Sequence, residues 1–179
     1  MSSISTTFRT AQAVGLGGAM WLSGNIEALS LISVPALSKS QKQDSVPAGI
    51  LARQWKYIYD DGKIQNPSIA VIAGTSFAYL AWSVRSGTAL SLVVPKNSAQ
   101  IYSVAALLTY GMIPYTAIFM LSTNQKLMAK ADQAVGAKGA VATDDKEVIE
   151  LLKNWAVVSG IRGLLPLLGG IVSMAAILA

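Results

Sequence analysis

The 179-residue sequence contains no cysteine and no histidine. Without cysteine there is no disulfide framework, thiolate nucleophile or thiolate metal site. Without histidine there is no Ser-His-Asp triad, axial-histidine haem or two-histidine facial iron site. Charge is also scarce. Asp, Glu, Lys and Arg make up 13% of the chain, against about 25% in soluble domains. Hydrophobic residues reach 53%, with a mean hydropathy of +0.48. This balance argues against an ordinary aqueous globule. With nine acidic residues in all, a metal would have to rely on carboxylate, amide, phenol or backbone oxygens.

The uncharged stretches organise the chain. They run from Thr10 to Ile26, Ala28 to Ser38, Ile64 to Val84, Asn97 to Gln125, and Asn154 to Ala179 with Arg162 as the one interruption. A membrane-crossing helix needs about 20 apolar residues. The pattern predicts an all-α fold in one integral membrane domain covering 1–179: a four-helix transmembrane bundle with spans near 11–34, 67–86, 99–123 and 155–178. The runs are too long and continuous for the alternating strands of a membrane barrel. The first run resembles a signal peptide after Arg9, but its apolar tract reaches Val34, beyond a signal core of about 7–15 residues. It is therefore read as a retained span.

The connections are polar. In the first, VPAGILARQWKYIYDDG predicts a short amphipathic helix, opened by Pro47 and stopped by Gly62. Another connection runs from Lys126 to Lys153, where Thr143 and Asp144 are expected to cap the helix entering the last span. Ten Lys and Arg fall in these two connections, against Arg9, Arg85 and Lys96 on the other side. The positive-inside rule then places the long loops in the cytoplasm and both termini in the lumen. The formal charge of +5 is accounted for by residues flanking spans, so nucleic acid is not an expected partner. The lipid bilayer is.

Two ionisable residues interrupt the spans, Glu27 and Arg162. Eight residues separate each from the expected cytoplasmic end of its helix, a depth of roughly 12 Å. Thr75 on the second helix falls at a similar depth, and Tyr115 and Thr116 on the third at about 14–15 Å. Helical spacing gathers polar and small residues into stripes. They are Gly17, Met20, Gly24, Glu27 and Leu31; Thr75, Tyr79, Trp82 and Ser86; Thr109, Met112, Thr116, Met120 and Thr123; and Trp155, Ser159, Arg162, Pro166, Gly169 and Ser173. Intramembrane charges mark function by default. The competing reading is structural: Glu27 and Arg162 neutralise each other, the small residues serve helix packing, Trp55 and Trp155 anchor at the membrane face, and Asn124 caps a helix end.

Four stretches in order, GLGGAMWLSGNIEALSLISVPAL, QWKYIYDDGK, IPYTAIFMLSTNQKL and NWAVVSGIRGLLPLLGG, resemble the fungal anthrone oxygenase family of integral membrane proteins. The resemblance runs from Gly15 to Gly170. It implies a monooxygenase that uses molecular oxygen to convert a polyketide anthrone, such as emodin anthrone, to an anthraquinone in pigment or mycotoxin biosynthesis. An endoplasmic reticulum or vesicle membrane is the expected location. Where members of the family place a histidine near the final Arg, this chain has Val157, Val158 and Ser159. The chemistry needs no flavin or metal in principle, because an anthrolate can itself reduce oxygen; a carboxylate-bound iron stays open. The chain has no nucleotide-binding fingerprint, since its GLGG lies inside a span.

That chemistry asks for a base, an oxyanion stabiliser and a dry pocket. Glu27 is the expected general base, and Arg162 the stabiliser, with Tyr115 or Thr116 as hydrogen-bond donors. Asn25, Thr75 and Asn124 are expected polar substrate contacts. Trp55, Tyr79 and Trp155 are expected to stack on the aromatic substrate. Two other classes compete: a carrier that binds an apolar metabolite without turnover, and a structural subunit of a membrane assembly.

Overall fold

The structure, a computed structural model, describes residues 5–136 and 145–178. The chain is all-α. Helix α1 covers 6–44 as an α-helix Thr6–Ala28, a π-helical turn Leu29–Ser33 and an α-helix Val34–Asp44. Helix α2 is Ala48–Ser83. After a 3₁₀ turn Ala89–Leu92, helix α3 covers 98–136, again with a π-helical turn, Thr116–Met120. Helix α4 is Asp145–Leu178. Among the described residues, α1, α3 and α4 are long and apolar enough to cross a membrane. Their outward surfaces carry Leu31, Leu107, Ile118 and Val157, each more than 60% exposed. Such surfaces suit lipid as the surrounding solvent.

Three boundaries differ from the sequence expectation. The short amphipathic helix is not separate: it is the first half of the 36-residue α2, which runs through Gly62 and Pro67. An interior proline costs about 3 kcal/mol. Here burial opposes that cost, with Leu51, Ala52 and Trp55 packed on one side of Pro67 and Ala70, Ala73, Phe77 and Leu80 on the other. Helix α3 continues past the expected end at 123 to Gly136, because Asn124, Leu127 and Ala131 repeat at helical spacing and are all buried. Helix α1 likewise passes Val34. Pro35 falls at the start of its last segment, where the preceding π turn widens the helix. The expected cap at Thr143 and Asp144 lies outside the described residues.

The chain divides into two units. The first takes residues 5–24, 66–114 and 163–178 of the described chain. Its core holds Phe8, Ala19, Phe77, Leu80, Tyr102, Ala105 and Ala176. Phe8 meets Tyr102 edge-on at 6.3 Å, and Gln12 Nε2 donates to the Tyr102 hydroxyl at 2.8 Å. α3 and α4 approach so closely here that a Cβ at Gly169 would stand 3.0 Å from the Ala105 carbonyl.

The second unit takes 25–65, 115–136 and 145–162 of the described chain. Its core is built from Val34, Leu51, Trp55, Met120, Leu127, Val148, Leu152 and Trp155. Ion pairs join its helices at the polar end: Lys56 with Asp132 at 2.5 Å, and Lys130 with Glu147.

Candidate functional site

The second unit brings together Asn25, Glu27, Trp55, Tyr115, Thr116, Asn124, Trp155 and Arg162. Thr75 and Tyr79 belong to the first unit. There they line a groove with Thr10 and Ser76, and the Thr75 and Tyr110 hydroxyls hydrogen-bond at 2.7 Å.

Not every expected stripe is the packed face. On α4 the expectation holds: Trp155, Ser159, Arg162, Pro166, Gly169 and Ser173 are all buried. On α2 it does not. Thr75 and Trp82 face outward, while Ala73, Phe77 and Leu80 pack inward. In a lipid-exposed helix both faces can be apolar, so polarity alone does not mark the packed side. On α1 the buried stripe is Ala19, Leu22, Ser23, Ile26 and Ser30, with Glu27 half-buried at its edge and Gly24 and Leu31 exposed.

Glu27 meets α4 at Gly160. A Cβ there would stand 3.6 Å from Glu27 Oε2 and 3.7 Å from Ser30 Cβ. Glycine leaves this space to the carboxylate, whose Oε1 is buried without a hydrogen-bond partner. Arg162 is two residues further along α4, so its side chain leaves the helix about 200° around from Gly160. Its Nη1 donates to Thr116 Oγ1 and its Nη2 to Ser159 Oγ, both at 3.2 Å. Its Nε is buried with no partner. Glu27 and Arg162 form no ion pair. The reading of the two as a neutralised structural pair is corrected by this helical geometry.

Tyr59 and Tyr115 lie near the guanidinium. The aromatic side chains of this unit are ordered among themselves. Trp55 stacks on Tyr59 with centroids 5.0 Å apart and meets Trp155 edge-on at 5.8 Å. Tyr115 lies 4.7 Å from Phe119. Trp155 Nε1 donates to Asn124 Oδ1 at 2.9 Å. Asn124 therefore ties α3 to α4 in mid-helix rather than capping an end. Trp55 and Trp155 are core residues, 0% and 3% exposed, not interfacial anchors. The Trp55 indole N–H is also without a partner.

Sequence reasoning missed Tyr59, Ser30 and the contact made by Ser159. Tyr59 was detectable, because Trp55 and Tyr59 stand at the i, i+4 spacing that stacks side chains on one helix face. Ser30 hydrogen-bonds back to the Ile26 carbonyl, and its place beside Gly160 depends on packing. Among the described residues, no three acidic side chains gather into a metal-binding group.

Buried polar atoms in folded proteins are nearly always satisfied. Among the described residues, four side chains carry a buried polar atom without a partner, and Glu27, Trp55 and Arg162 are three of them, all in the second unit. They offer a base-type, a cationic and a neutral donor function within one unit.

Comparison with known proteins supplies the identity. The family model for anthrone oxygenase matches residues 55–172. The chain is similar to an anthrone oxygenase of Aspergillus fumigatus, 38% identical with 92% of this chain and 91% of the relative covered. It is similar to a noranthrone monooxygenase of Aspergillus flavus at 32%, covering 86% and 67%. An anthrone oxygenase of Claviceps purpurea is 30% identical, covering 92% and 86%. No solved structure matches. The motifs, their order and these relatives agree: the chain belongs to the anthrone oxygenase family.

Proposed function

We propose that this protein oxidises a polyketide anthrone to its anthraquinone with molecular oxygen, in the second unit, using Glu27 as base and Arg162 as oxyanion stabiliser. The observation that carries this reading is the set of unpartnered buried polar atoms on Glu27, Trp55 and Arg162. Each has capacity left for a ligand, and an anthrone offers matching chemistry.

The reaction balances without a further reductant. Glu27 takes a proton from the central methylene, and the anthrolate forms with its charge on the carbonyl oxygen. For Arg162 to stabilise that oxygen, its guanidinium, which neutral Ser159 and Thr116 hydroxyls orient without cancelling its charge, has to reach around α4 from the face away from Gly160, and the oxygen-uptake test of Arg162→Met decides that role. Donors held ready in a water-poor site are worth more than in solution. One electron passes from the anthrolate to oxygen, and the two radicals combine at the same carbon to give a peroxide. Glu27 returns its proton to the peroxide. Loss of the remaining C–H proton and cleavage of the O–O bond release water and leave the second quinone carbonyl. In this reading Tyr59 and Tyr115, near Arg162, donate hydrogen bonds to the substrate, and Trp55 and Trp155 back the ring as aromatic surface. Asn25 is retained as a lesser substrate contact; Thr75 and Tyr79, which belong to the first unit, are not.

This reading includes a multi-pass membrane protein in which α2 also spans, with the second unit towards the cytoplasmic leaflet and both termini lumenal, in an endoplasmic reticulum or vesicle membrane. Ten basic residues in the two longer connections support that orientation. An apolar anthrone reaches such a site from the bilayer.

The test is oxygen uptake with emodin anthrone in membranes carrying equal amounts of each protein. Glu27→Gln is expected to lower the enzyme-dependent rate by about 10²–10⁴-fold, and Arg162→Met by about 10²–10³-fold. Full activity in both folded variants would remove both roles. Binding without acceleration over the spontaneous rate would make the protein a carrier.

A further inference from the structure

A groove of about 550 Å³ lies in the second unit between α1 and α4. Part of its wall is apolar, with Leu31 and Val34 on α1 and Val157 on α4. Leu31 and Val157 are also on the outward apolar surface, so the groove opens sideways, where lipid is the solvent. The rest of the wall carries Lys39 and Lys42 on α1 and Lys153 on α4. Depth separates the two parts. The cytoplasmic limit of the hydrocarbon is expected near Pro35 and Asn154. Lys39 and Lys42 follow Pro35 by four and seven residues, about 6 and 10.5 Å of helix, and Lys153 directly precedes Asn154. The headgroup layer beyond the hydrocarbon is roughly 5–7 Å thick on each side, which the flexible lysine stems can reach. One groove thus presents an apolar wall below that limit and three ammonium groups at the level of the headgroups.

The charges are unneutralised. All three lysines are exposed, and none makes an ion pair with a carboxylate among the described residues. Like charges brought to one groove from two helices repel. An anion shared between them relieves that repulsion and ties α1 to α4. A soluble anion would match the charges alone. The apolar wall beside them matches a molecule with an anionic head and acyl chains, which the bilayer supplies at high local concentration. Basic pockets between membrane helices on the cytoplasmic side hold acidic headgroups by this combination, and lysine meets phosphate as a point charge. We infer that the groove is a binding site for one anionic phospholipid, with its phosphate on Lys39, Lys42 and Lys153 and an acyl chain along Leu31, Val34 and Val157. The site requires α1 and α4 to lie in a bilayer, and it is independent of the chemistry at Glu27.

The experiment titrates the full chain, in a nonionic detergent, with phosphatidylglycerol or with phosphatidylcholine of the same acyl chains, so that net charge is the main difference. The rise in the thermal unfolding midpoint reads the affinity, and native mass spectrometry counts the lipids retained. A single phosphatidylglycerol per chain is expected, bound about 10²-fold more tightly than phosphatidylcholine, at about fivefold per lysine. Lys153→Gln is expected to weaken it about fivefold, and the Lys39→Gln/Lys42→Gln pair about twentyfold. Lys63→Gln/Lys126→Gln, a pair of exposed lysines in the same unit outside the groove, leaves it unaltered. Equal affinity for the two lipids overturns the proposal. So does equal weakening by the two lysine pairs, which would reduce binding to general attraction of counterions. An equal rise in midpoint with inorganic phosphate also overturns it, because the site would then belong to a soluble anion. A chain that stays monodisperse without detergent would remove the membrane setting itself, and the lipid site with it.

Discussion

At the scale of single residues, the site depends on how two residues two positions apart on α4 are used. Gly160 contributes space and Arg162 contributes charge, on different faces of one helix. Gly160→Ala puts a Cβ at ordinary contact distance from Glu27 and removes a helix glycine. It is expected to raise stability by about 0.5–1 kcal/mol, measured as a higher denaturation midpoint. Gly160→Leu fills the space that the carboxylate occupies. Its expected overpacking cost is about 1–3 kcal/mol, with a fall in anthrone turnover larger than the stability loss explains. A leucine variant with wild-type turnover would argue that Glu27 does not act from this position. Arg162 shows the complementary economy: its partners in the structure are hydroxyls, so its positive charge stays available to an anionic ligand.

At the scale of elements, the two π-helical turns keep the second unit's inward-facing stripes in register. On α1, Ile26, Ser30, Val34 and Ser38 follow at steps of four, and on α3 so do Thr116, Met120 and Asn124. Each four-residue step overshoots an α-helical turn by about 40°. The turns Leu29–Ser33 and Thr116–Met120 absorb that drift. Deleting Ile32, an exposed residue within the first turn, removes the surplus residue and is expected to convert it to an ordinary α-helical turn, with Val34 kept in the core. The loss of stability is expected to stay below the about 1.5–3 kcal/mol of a valine leaving the core; a larger loss in thermal unfolding would overturn this account of the turn. A second element-level feature is the α2–α3 pair of Lys56 and Asp132. The hydrogen bond to Asp132 holds the Lys56 ammonium above its ordinary range. A raised lysine value means that its contribution is present at neutral pH and is lost as pH rises through the folded value. Wild type and Lys56→Met should therefore differ slightly in melting temperature near pH 7 and converge above about pH 10.4, the difference shrinking with salt.

At the scale of the whole molecule, the outward apolar surface and the absence of cysteine make topology directly measurable. Any cysteine introduced is unique in the chain. In sealed microsomes, Gln43→Cys at the exposed end of α1 should react with a membrane-impermeant maleimide from the cytoplasmic side. Ser86→Cys, beyond the end of α2, should react only after permeabilisation. Both positions are exposed in the structure. The reverse pattern would invert the proposed orientation, and labelling of both in sealed vesicles would remove α2 as a span.

Much of this protein is determined by sequence alone. Long uncharged runs leave no alternative to helices that satisfy their own backbone in an apolar medium. The order of four short motifs carries the family, and the α4 stripe from Trp155 to Ser173 is a simple helical period. What tertiary structure decided concerns direction and continuity. Pro67 and Gly62 are stop signals locally, but the buried residues on both sides of them hold α2 together. Thr75 shares a depth with Glu27 by residue counting, yet it and Tyr79 belong to a different unit, because facing in an apolar environment is set by neighbouring helices rather than by polarity. Glu27 and Arg162 suggest an ion pair at the level of composition. Packing turns one towards a glycine and the other towards two hydroxyls, since a side chain's partner is fixed by its angle around the helix and by what the next helix presents there.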